Sequence, residues 1–542
     1  MSISLGDGFS HVITEQGDIF GWGSNTVGQI GRQGPLVDIA QPVHVELRSF
    51  YHAVMPIATQ SYYSGRRPIM MSAGFEQSLC LVEDGSVWTW GNNEYGQCGR
   101  EDSDYGMAHL NIGEFGGIRV VQVACASRFS MVLTASGEVW NCGSGAFGQL
   151  GHGDSMDRDR MTRLNPDYFG GNTITFIAVG HEHSMALRGA DSMLFTWGDD
   201  QFDSGCLGRV PRITRHESPL PVDADTFGSI PILSMSGGRY FSVVVTVDGA
   251  MWACGNNFNA QLGFPDMHDR PFFQRVAGSE VFGEGGVQIT ACQTRRLVVL
   301  ANNGRVWIAG KLTYIEDHLG ASGPHLLADD ASFENHDVVD ISCGHFHSAL
   351  VKRDGQIYLW GNGEHGALGT GDDINITSPH RIPTALFGGA RVGNNLTIDA
   401  NRAIAFSLGN SPRTGAASSY VSLPPETITL MFNALRLSRP PSDAGPGLRV
   451  LIGFAPTAAN AAVDEVDEES EDGDENEGSG DGNEGSGDGD EGSGDGDEGS
   501  EDENEGSEDE DEASEDENEG SADEDEGSGN GDKASGNEDD ES

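Results

Sequence analysis

A short phrase ending in tryptophan-glycine, or in a close relative of it, recurs seven times along this chain. The landmark glycines are Gly23, Gly91, Gly143, Gly198, Gly255, Gly310 and Gly361. By subtraction, their successive spacings are 68, 52, 55, 57, 55 and 51 residues. A nearly fixed period of this size is typical of solenoids and propellers, and it constrains the fold more strongly than any single segment does.

Each copy predicts one hairpin-based unit. The seventh, "VVDISCGHFHSALVKRDGQIYLWGNGEHGALGTGD" from Val338, has an apolar strand, a glycine loop, a second strand, a turn at Asp354-Gly355 and an alternating strand ending at Trp360. Six copies keep a glycine in this turn, where positive φ is needed, and the fourth has shifted it. With no helical periodicity inside the repeats, we predict an all-β, seven-bladed propeller of four-stranded antiparallel blades.

A second glycine phrase closes most copies, as in Gly28-Gln29-Ile30-Gly31. Copy six departs from it and has only Leu319-Gly320 at the expected place. We expect these glycines to permit tight turns and close backbone approach near the propeller axis.

The order G-x-x-H-S, strand, D-G, strand, W-G-x-N, G-Q-L-G resembles the repeat of the regulator of chromosome condensation family. The resemblance covers Ser2 to about Asp372 in seven copies, and a degenerate piece from Arg391 to Leu408 looks like half of an eighth. It implies a seven-bladed propeller. It also implies that the last piece closes the ring by pairing with the N-terminal strands, since family members share one blade between the two ends.

Composition divides the chain into three predicted regions: the propeller at 1–408, a linker at 409–463 and a tail at 464–542. The chain carries a formal charge of -54, and from Asp464 onward it has 40 acidic residues and one lysine, which gives -39 for the tail and leaves -15 for the rest. With no charged-then-apolar leader and no run of 18 apolar residues, we expect an intracellular protein, cytoplasmic or nuclear, without membrane contact.

The linker and the tail give two further expectations. In the linker, "SLPPETITLMFNALRLSRPP" predicts a short amphipathic helix docked on the propeller, because it is too short for an F-box. The tail repeats the heptad E-[GA]-S-x-[DN]-x-[DN] from Glu477 to Asp532 with no apolar position, so it predicts an extended, disordered chain.

The heptad serines are candidate phosphorylation sites for acid-directed kinases. The three that we select are Ser500, Ser507 and Ser514. The alternative is a solubilising tail without a specific partner.

The longest gap between copies runs from Arg32 to Met70. It contains a candidate interface of aromatic and arginine residues, which such surfaces favour. These residues are Tyr62, Tyr63, Arg66 and Arg67. The alternative is an ordinary blade with a longer loop.

Several apparent catalytic signals are better explained by the repeat. The eight cysteines form no C-x-x-C pair, which favours small buried residues in a reducing compartment. The pairs His181/His183 and His345/His347 lie in the glycine loop, so we favour hydrogen bonding within the blade over metal binding. We therefore predict no metal, no cofactor and no covalent catalysis.

Three functions compete. The first is a protein-interaction scaffold that uses the glycine-loop face, with the acidic tail recruiting basic proteins such as histones. The face residues that we select are Glu76, Arg128, Arg239, Tyr240, Arg295, Arg296 and Phe346. The second, implied by the resemblance, is guanine nucleotide exchange on a Ran-like small GTPase, with Asp7, Glu182 and His345 at the matching positions. The third, direct DNA docking, is disfavoured because a body at -15 repels phosphate.

Overall fold

The computed structural model describes residues 3–32, 34–47, 67–101, 105–200, 204–209, 215–310, 323–328, 333–390 and 392, and the backbone of 420–422 and 449–451. All of them lie in the first of two units of the chain, Met1–Ala455. The predicted amphipathic helix and the heptad tail lie outside these residues.

Seven four-stranded antiparallel sheets follow one another along the chain, each built from consecutive strands. The first four blades consist of β1 (Ile3–Leu5), β2 (Phe9–Ile13), β3 (Ile19–Gly23) and β4 (Ile39–Val45); β5 (Pro68–Ala73), β6 (Gln77–Val82), β7 (Val87–Gly91) and β8 (Ala108–Leu110); β9 (Val120–Cys125), β10 (Phe129–Thr134), β11 (Val139–Gly143) and β12 (Arg158–Arg163); and β13 (Ile174–Val179), β14 (His183–Arg188), β15 (Leu194–Asp199) and β16 (Arg215–Pro221).

The last three blades consist of β17 (Ile232–Gly237), β18 (Phe241–Thr246), β19 (Met251–Gly255) and β20 (Arg270–Ala277); β21 (Val287–Gln293), β22 (Arg296–Ala301), β23 (Val306–Gly310) and β24 (His325–Leu326); and β25 (Val338–Cys343), β26 (His347–Lys352), β27 (Ile357–Gly361) and β28 (Ile376–Ile382). A separate two-stranded antiparallel sheet pairs β29 (Tyr420–Ser422) with β30 (Arg449–Leu451). The prediction of a seven-bladed all-β propeller is confirmed.

Helical segments are short. The α-helix α1 covers Ser279–Phe282, and 3-10 turns cover Ile112–Phe115, Pro166–Phe169, Glu364–Gly366 and Thr384–Phe387. Within the described residues, no helix combines the length and apolar character needed to cross a bilayer.

The predicted hairpin turn between the second and third strands of a blade contains a glycine with positive φ. Gly355 has φ of 80°, a conformation that costs glycine little, and it joins β26 to β27. In the fourth blade, the shifted turn instead places Ser192 at φ of 55°. That turn is held by Arg188, whose backbone N–H donates to the Met193 carbonyl.

Apolar packing lies between blades rather than inside them. Each of seven buried clusters combines side chains from two neighbouring blades. The cluster that joins the last blade to the first contains Leu5, Val12 and Trp22 from one side and Leu359 and Phe387 from the other. This packing closes the ring, and each blade depends on two neighbours for its core.

Ring closure agrees in part with the expectation drawn from the family. The four named strands of the first blade come from residues 3–45. Of the degenerate piece, only Val392 is described, and it forms an antiparallel bridge with Thr14. This bridge matches the pair of Val120 with Thr134 in the third blade, so the last piece meets the N-terminal strands where the first strand of a blade would begin.

The G-Q-x-G phrase differs from its predicted place. It lies between blades, where Gly31 approaches the indole of Trp90 in the next blade, and not beside the axis. The Trp90 Nε1–H donates to the Gln29 carbonyl at 2.8 Å, Trp197 donates to Gln149 at 2.9 Å, and Trp22 donates to Ala367 at 2.9 Å. The phrase therefore supplies a backbone acceptor to the Trp-Gly strand of the following blade.

The histidine of G-x-x-H-S bonds across to the next blade, which corrects the prediction of a bond within the blade. His347 Nε2 lies 2.9 Å from Ser10 Oγ, and His183 Nε2 lies 2.9 Å from Ser242 Oγ. Both rings are packed over a glycine: a methyl group on Gly344 would come within 2.6 Å of His347 Cε1. Burial lowers the pKa of each of these histidines to about 4, so both are neutral at physiological pH.

Candidate functional site

The candidate site is the ring of seven loops that join the first and second strands of the blades. We call them the inner loops, and they comprise residues 6–8, 74–76, 126–128, 180–182, 238–240, 294–295 and 344–346. The first strands surround a central cavity of about 200 Å³, and residues of the inner loops lie at its mouth. Because loops tolerate side-chain variation on a rigid scaffold, this end is suited to recognition.

Two of the three residues proposed for exchange meet at the seam between the last and first blades. His345 Nδ1 lies 2.9 Å from Asp7 Oδ1, and the two side chains are 13% and 23% exposed. The His345 backbone N–H also donates to the Gly6 carbonyl at 3.1 Å, which fixes the two loops together. The aspartate accepts from Nδ1–H and orients the imidazole.

Phe75 spans the mouth of the central cavity. Its ring contacts His345 with centroids 5.4 Å apart and His181 at 6.4 Å, both in edge-on geometry. These histidines belong to the seventh and fourth blades, whereas Phe75 belongs to the second. A single aromatic side chain thus links loops on opposite sides of the ring.

Glu182, the third proposed exchange residue, lies apart from Asp7 and His345 in the fourth blade. Its carboxylate is 3.6 Å from His181 Nδ1, and its carbonyl accepts from the Asp199 N–H at 3.0 Å. Burial, and secondarily the nearby Glu182 charge, raise the pKa of Asp199. The fourth blade therefore presents a pair of carboxylates, whereas the seam of Asp7 and His345 presents a carboxylate with an imidazole.

Cationic and aromatic side chains alternate with these acids around the ring. The Arg128 guanidinium lies 5.0 Å from the centroid of the Tyr95 ring, and that of Arg239 lies 4.9 Å from the centroid of Tyr240. Arg295 is exposed in the sixth blade. Arginine and tyrosine are the residues most enriched at the centres of protein interfaces.

Glu76 and Phe346 complete the predicted set on this face. Glu76 Oε2 accepts from Asn92 Nδ2 at 2.7 Å, and the Phe346 ring packs against His345 with centroids 4.1 Å apart. Both side chains are half-buried and line a second cavity, between the seventh and first blades.

Arg296 does not belong to the exposed face. It is the first residue of β22, is only 7% exposed, and donates through one guanidinium N–H to Ser348 Oγ at 2.6 Å. Its strand position is the one that histidine holds in the fourth and seventh blades, so it points between blades. Arg296 is therefore a structural residue, unlike its neighbour Arg295.

The remaining predicted residues are placed only in part. Arg67 is exposed and donates to the Glu15 carbonyl at 2.6 Å, at the end of the blades opposite the inner loops. Its three companions in the long loop, Tyr62, Tyr63 and Arg66, lie outside the described residues, as do the candidate phosphorylation sites Ser500, Ser507 and Ser514.

Residue-by-residue reasoning missed Phe75 and Asp199. Phe75 stands between two residues of a glycine loop that the repeat had already located, so its position carried a usable signal. Asp199 follows a landmark glycine directly, and nothing in one sequence shows that the backbone brings it to Glu182.

Several thiols of the propeller have a raised pKa. Burial raises the pKa of the Cys125 thiol to about 12 and raises those of Cys292 and Cys343 above the ordinary value. The part of the chain that the structure describes contains no group of three or more residues able to hold a metal ion.

Comparison with known proteins identifies the fold and then the family. The RCC1-like domain model matches residues 52–400, and the regulator of chromosome condensation (RCC1) repeat matches residues 2–29. In structure, the chain is similar to Prp20p from Saccharomyces cerevisiae, with a TM-score of 0.55 at 23% identity, covering 68% of this chain and 86% of that one. The protein is thus a closed β-propeller, and it belongs to the RCC1-like family.

Curated relatives have different activities. The ultraviolet-B receptor UVR8 of Arabidopsis thaliana is 29% identical over 325 residues, which cover 58% of this chain and 70% of that protein. The secretion-regulating guanine nucleotide exchange factor of Mus musculus is 25% identical over 395 residues, covering 68% and 79%. Other relatives are much longer, and the match spans as little as 4% of their length.

Proposed function

We propose that this protein is a protein–protein interaction scaffold that binds its partners through the inner-loop face. The observation that carries the proposal is the composition of that face: the inner loops carry Arg128, Arg239 and Arg295 together with half-buried carboxylates and aromatic rings. Such a mixture supplies aromatic and arginine contacts together with charge selection.

The acidic tail extends the scaffold toward basic partners, among which histones are the candidates. Its charge of -39 gives strong attraction to basic proteins at low salt. Support also comes from Prp20p, whose structure is described together with its binding properties to Gsp1p and histones. The tail does not favour DNA, and we place the protein in the nucleus or cytoplasm.

The scaffold proposal is tested by partner capture. The full chain and the Arg295→Glu variant are used to isolate proteins from a cell extract, and each captured protein is then purified and its affinity measured. We expect the charge reversal to weaken partners of this face by at least about tenfold, because a central arginine contributes roughly 2 kcal/mol or more. Partners that bind both proteins equally would place the interface elsewhere.

Guanine nucleotide exchange is a second candidate, favoured by one contact. Asp7 and His345, which the resemblance assigns to exchange, lie 2.9 Å apart on this face. Exchange needs no covalent step, because preferential binding of the nucleotide-free GTPase is sufficient. One relative is itself a guanine nucleotide exchange factor.

The exchange candidate is tested by the release of labelled GDP from a panel of small GTPases. The full chain, a chain ending before residue 464 and the Asp7→Asn variant are compared. Exchange predicts acceleration by the first two and a loss in the third. If no GTPase responds while salt-sensitive histone binding disappears on truncation, the protein acts as a scaffold alone.

A further inference from the structure

A second cavity of about 270 Å³ lies on the inner-loop face, between the seventh and first blades. We call it the seam cavity. Its lining includes three carboxylates, two imidazoles and one phenyl ring, and neither lysine nor arginine is among its lining residues. The side chains used below are Asp7, Glu76, Phe346, His347, Glu364 and His365.

Within the part of the chain that the structure describes, none of the three carboxylates pairs with a lysine or arginine. Glu76 accepts from Asn92 Nδ2 at 2.7 Å, Glu364 accepts from Asn362 Nδ2 at 3.1 Å, and Asp7 accepts from His345 at 2.9 Å. At the rim, His365 Nδ1 lies 2.7 Å from Asp38 Oδ2, so this histidine is held by a fourth acid. The seam cavity is therefore strongly negative at neutral pH.

A buried imidazole in the cavity wall also lacks a donor. Ser10 Oγ donates to the Ala367 carbonyl at 3.0 Å, so it must accept from His347 Nε2–H. This fixes the tautomer and leaves His347 Nδ1 as an acceptor. His347 is 1% exposed, and among the described residues its Nδ1 has no hydrogen-bond partner. The Nδ1 of His183 is unpaired at the same strand position of the fourth blade, so this acceptor is a feature of the repeat that the seam cavity shares.

The lining thus combines charge, acceptors and an aromatic surface that attract a cation. Phe346 adds a ring face, which stabilises ammonium and guanidinium groups. The volume lies just below the range of about 300 to 1,000 Å³ typical of small-molecule sites, so it suits one extended side chain.

We propose that the seam cavity receives a lysine or arginine side chain of the protein partner. The proposal rests on the scaffold function and makes it more specific: the partner presents a basic residue to the seventh and first blades. Glu364 and Glu76 pair with the charge, while Phe346 packs against the aliphatic stem.

The test uses the full chain and three capped tripeptides as probes: acetyl-Gly-Arg-Gly-amide, its lysine analogue and its glutamine analogue. Affinities are measured by calorimetry or ligand-detected NMR. We expect both basic peptides to bind at least about tenfold more tightly than the glutamine peptide, and Glu364→Gln to remove about tenfold of that affinity.

Glu94→Gln is a matched control. Glu94 is exposed on the same face in the second blade, and its N–H donates to the side chain of Asn92 just as the Glu364 N–H donates to Asn362. Both variants remove one charge, and the acidic tail contributes equally to all three proteins. Equal weakening by the two substitutions, or equal binding of the glutamine peptide, would overturn the assignment.

The outcome separates this proposal from the scaffold function. If Arg295→Glu abolishes partner capture while Glu364→Gln changes neither capture nor peptide binding, the cavity assignment is wrong and the scaffold stands. If peptide binding responds to Glu364→Gln but no partner depends on the face, the cavity binds basic side chains, but the scaffold proposal and the assignment of a partner to the cavity are both wrong.

Discussion

The seam between the seventh and first blades and the seam between the sixth and seventh blades are joined by different buried hydrogen bonds. Between the seventh and first blades, the Ala367 carbonyl accepts from both Trp22 and Ser10, and His347 donates to that serine. Between the sixth and seventh blades, Trp360 Nε1 has no partner among the described residues. There Ser348 bonds instead to the buried guanidinium of Arg296.

The difference coincides with a sequence change, because the sixth copy lacks the full glycine phrase. In the phrases of the first and seventh blades, the second residue offers a backbone carbonyl to the tryptophan of the next blade. In the sixth blade the matching segment is reduced to Leu319-Gly320, which lies outside the described residues. Arg296 supplies the hydrogen bond to Ser348 but brings a charge into the seam, and burial lowers its pKa.

Removing the serine at each seam gives the largest expected contrast. Ser348→Ala leaves a buried guanidinium N–H without an acceptor, and we expect a loss of about 3 kcal/mol in the free energy of unfolding. Ser10→Ala leaves only a neutral imidazole N–H unpaired, so about 1 kcal/mol is expected. Urea unfolding of the full chain measures both.

Ser130→Ala serves as the control for these two variants. Ser130 holds the same strand position in the third blade, and its hydroxyl donates a long hydrogen bond of 3.9 Å to Cys125 Sγ. Ser130→Ala should therefore cause the smallest loss in the free energy of unfolding of the three variants. Equal losses at the two seams would show that the buried charge adds nothing to the contrast.

Acid should lower the free energy of unfolding through His347, between the seventh and first blades. Arg296, between the sixth and seventh blades, should contribute no pH dependence in this range. The pKa of His347 falls from 6.5 in the unfolded chain to about 4 in the fold, so only the unfolded chain binds a proton between these values. The contribution of His347 to the free energy of unfolding is therefore fully present above pH 6.5 and is lost as the pH falls toward 4. At pH 5 the loss is about 2 kcal/mol, or 1.5 pH units at about 1.4 kcal/mol each.

The measurement is the free energy of unfolding at pH 7 and pH 5 for wild type and for His347→Phe. Phenylalanine occupies this strand position in the first, third and fifth blades, so the variant should fold. The difference in unfolding free energy between pH 7 and pH 5 should be about 2 kcal/mol smaller in His347→Phe than in wild type. The groups acting on His347 are Asp7, Arg296 and His345. Phe129→Leu is the control and should keep the full pH effect.

The period of the repeat was enough to predict the propeller, its blade number and its hairpins. It failed where the answer depended on contacts between copies. The direction of the His347 bond and the place of the G-Q-x-G phrase are relations between blades, and a repeat read one copy at a time contains no information about its neighbour. Ring closure was predictable in part, because the family pattern places the last piece beside the N-terminal strands, and Val392 pairs there with Thr14.

The site was less predictable than the fold. The glycine loops located the face, and the pairing of Asp7 with His345 required only that the first and last blades be neighbours. The contrast between Arg295 and Arg296 was not accessible, because adjacent strand residues point to opposite sides and the strand start is uncertain by a residue. The seam cavity depends on side chains from three blades, which no local pattern links.

The smallest expected contrast compares the tryptophans of the same two seams. Trp22 and Trp360 are both fully buried, so replacement by phenylalanine removes similar volume at each. Trp22 donates a hydrogen bond to Ala367, whereas Trp360 Nε1 has no partner in the described part of the chain. Trp22→Phe should therefore cost about 1 kcal/mol more than Trp360→Phe, and the latter should relieve an unsatisfied polar group. Urea midpoints at constant slope measure this difference, and a larger loss at Trp360 would mean that the sixth blade supplies an acceptor after all.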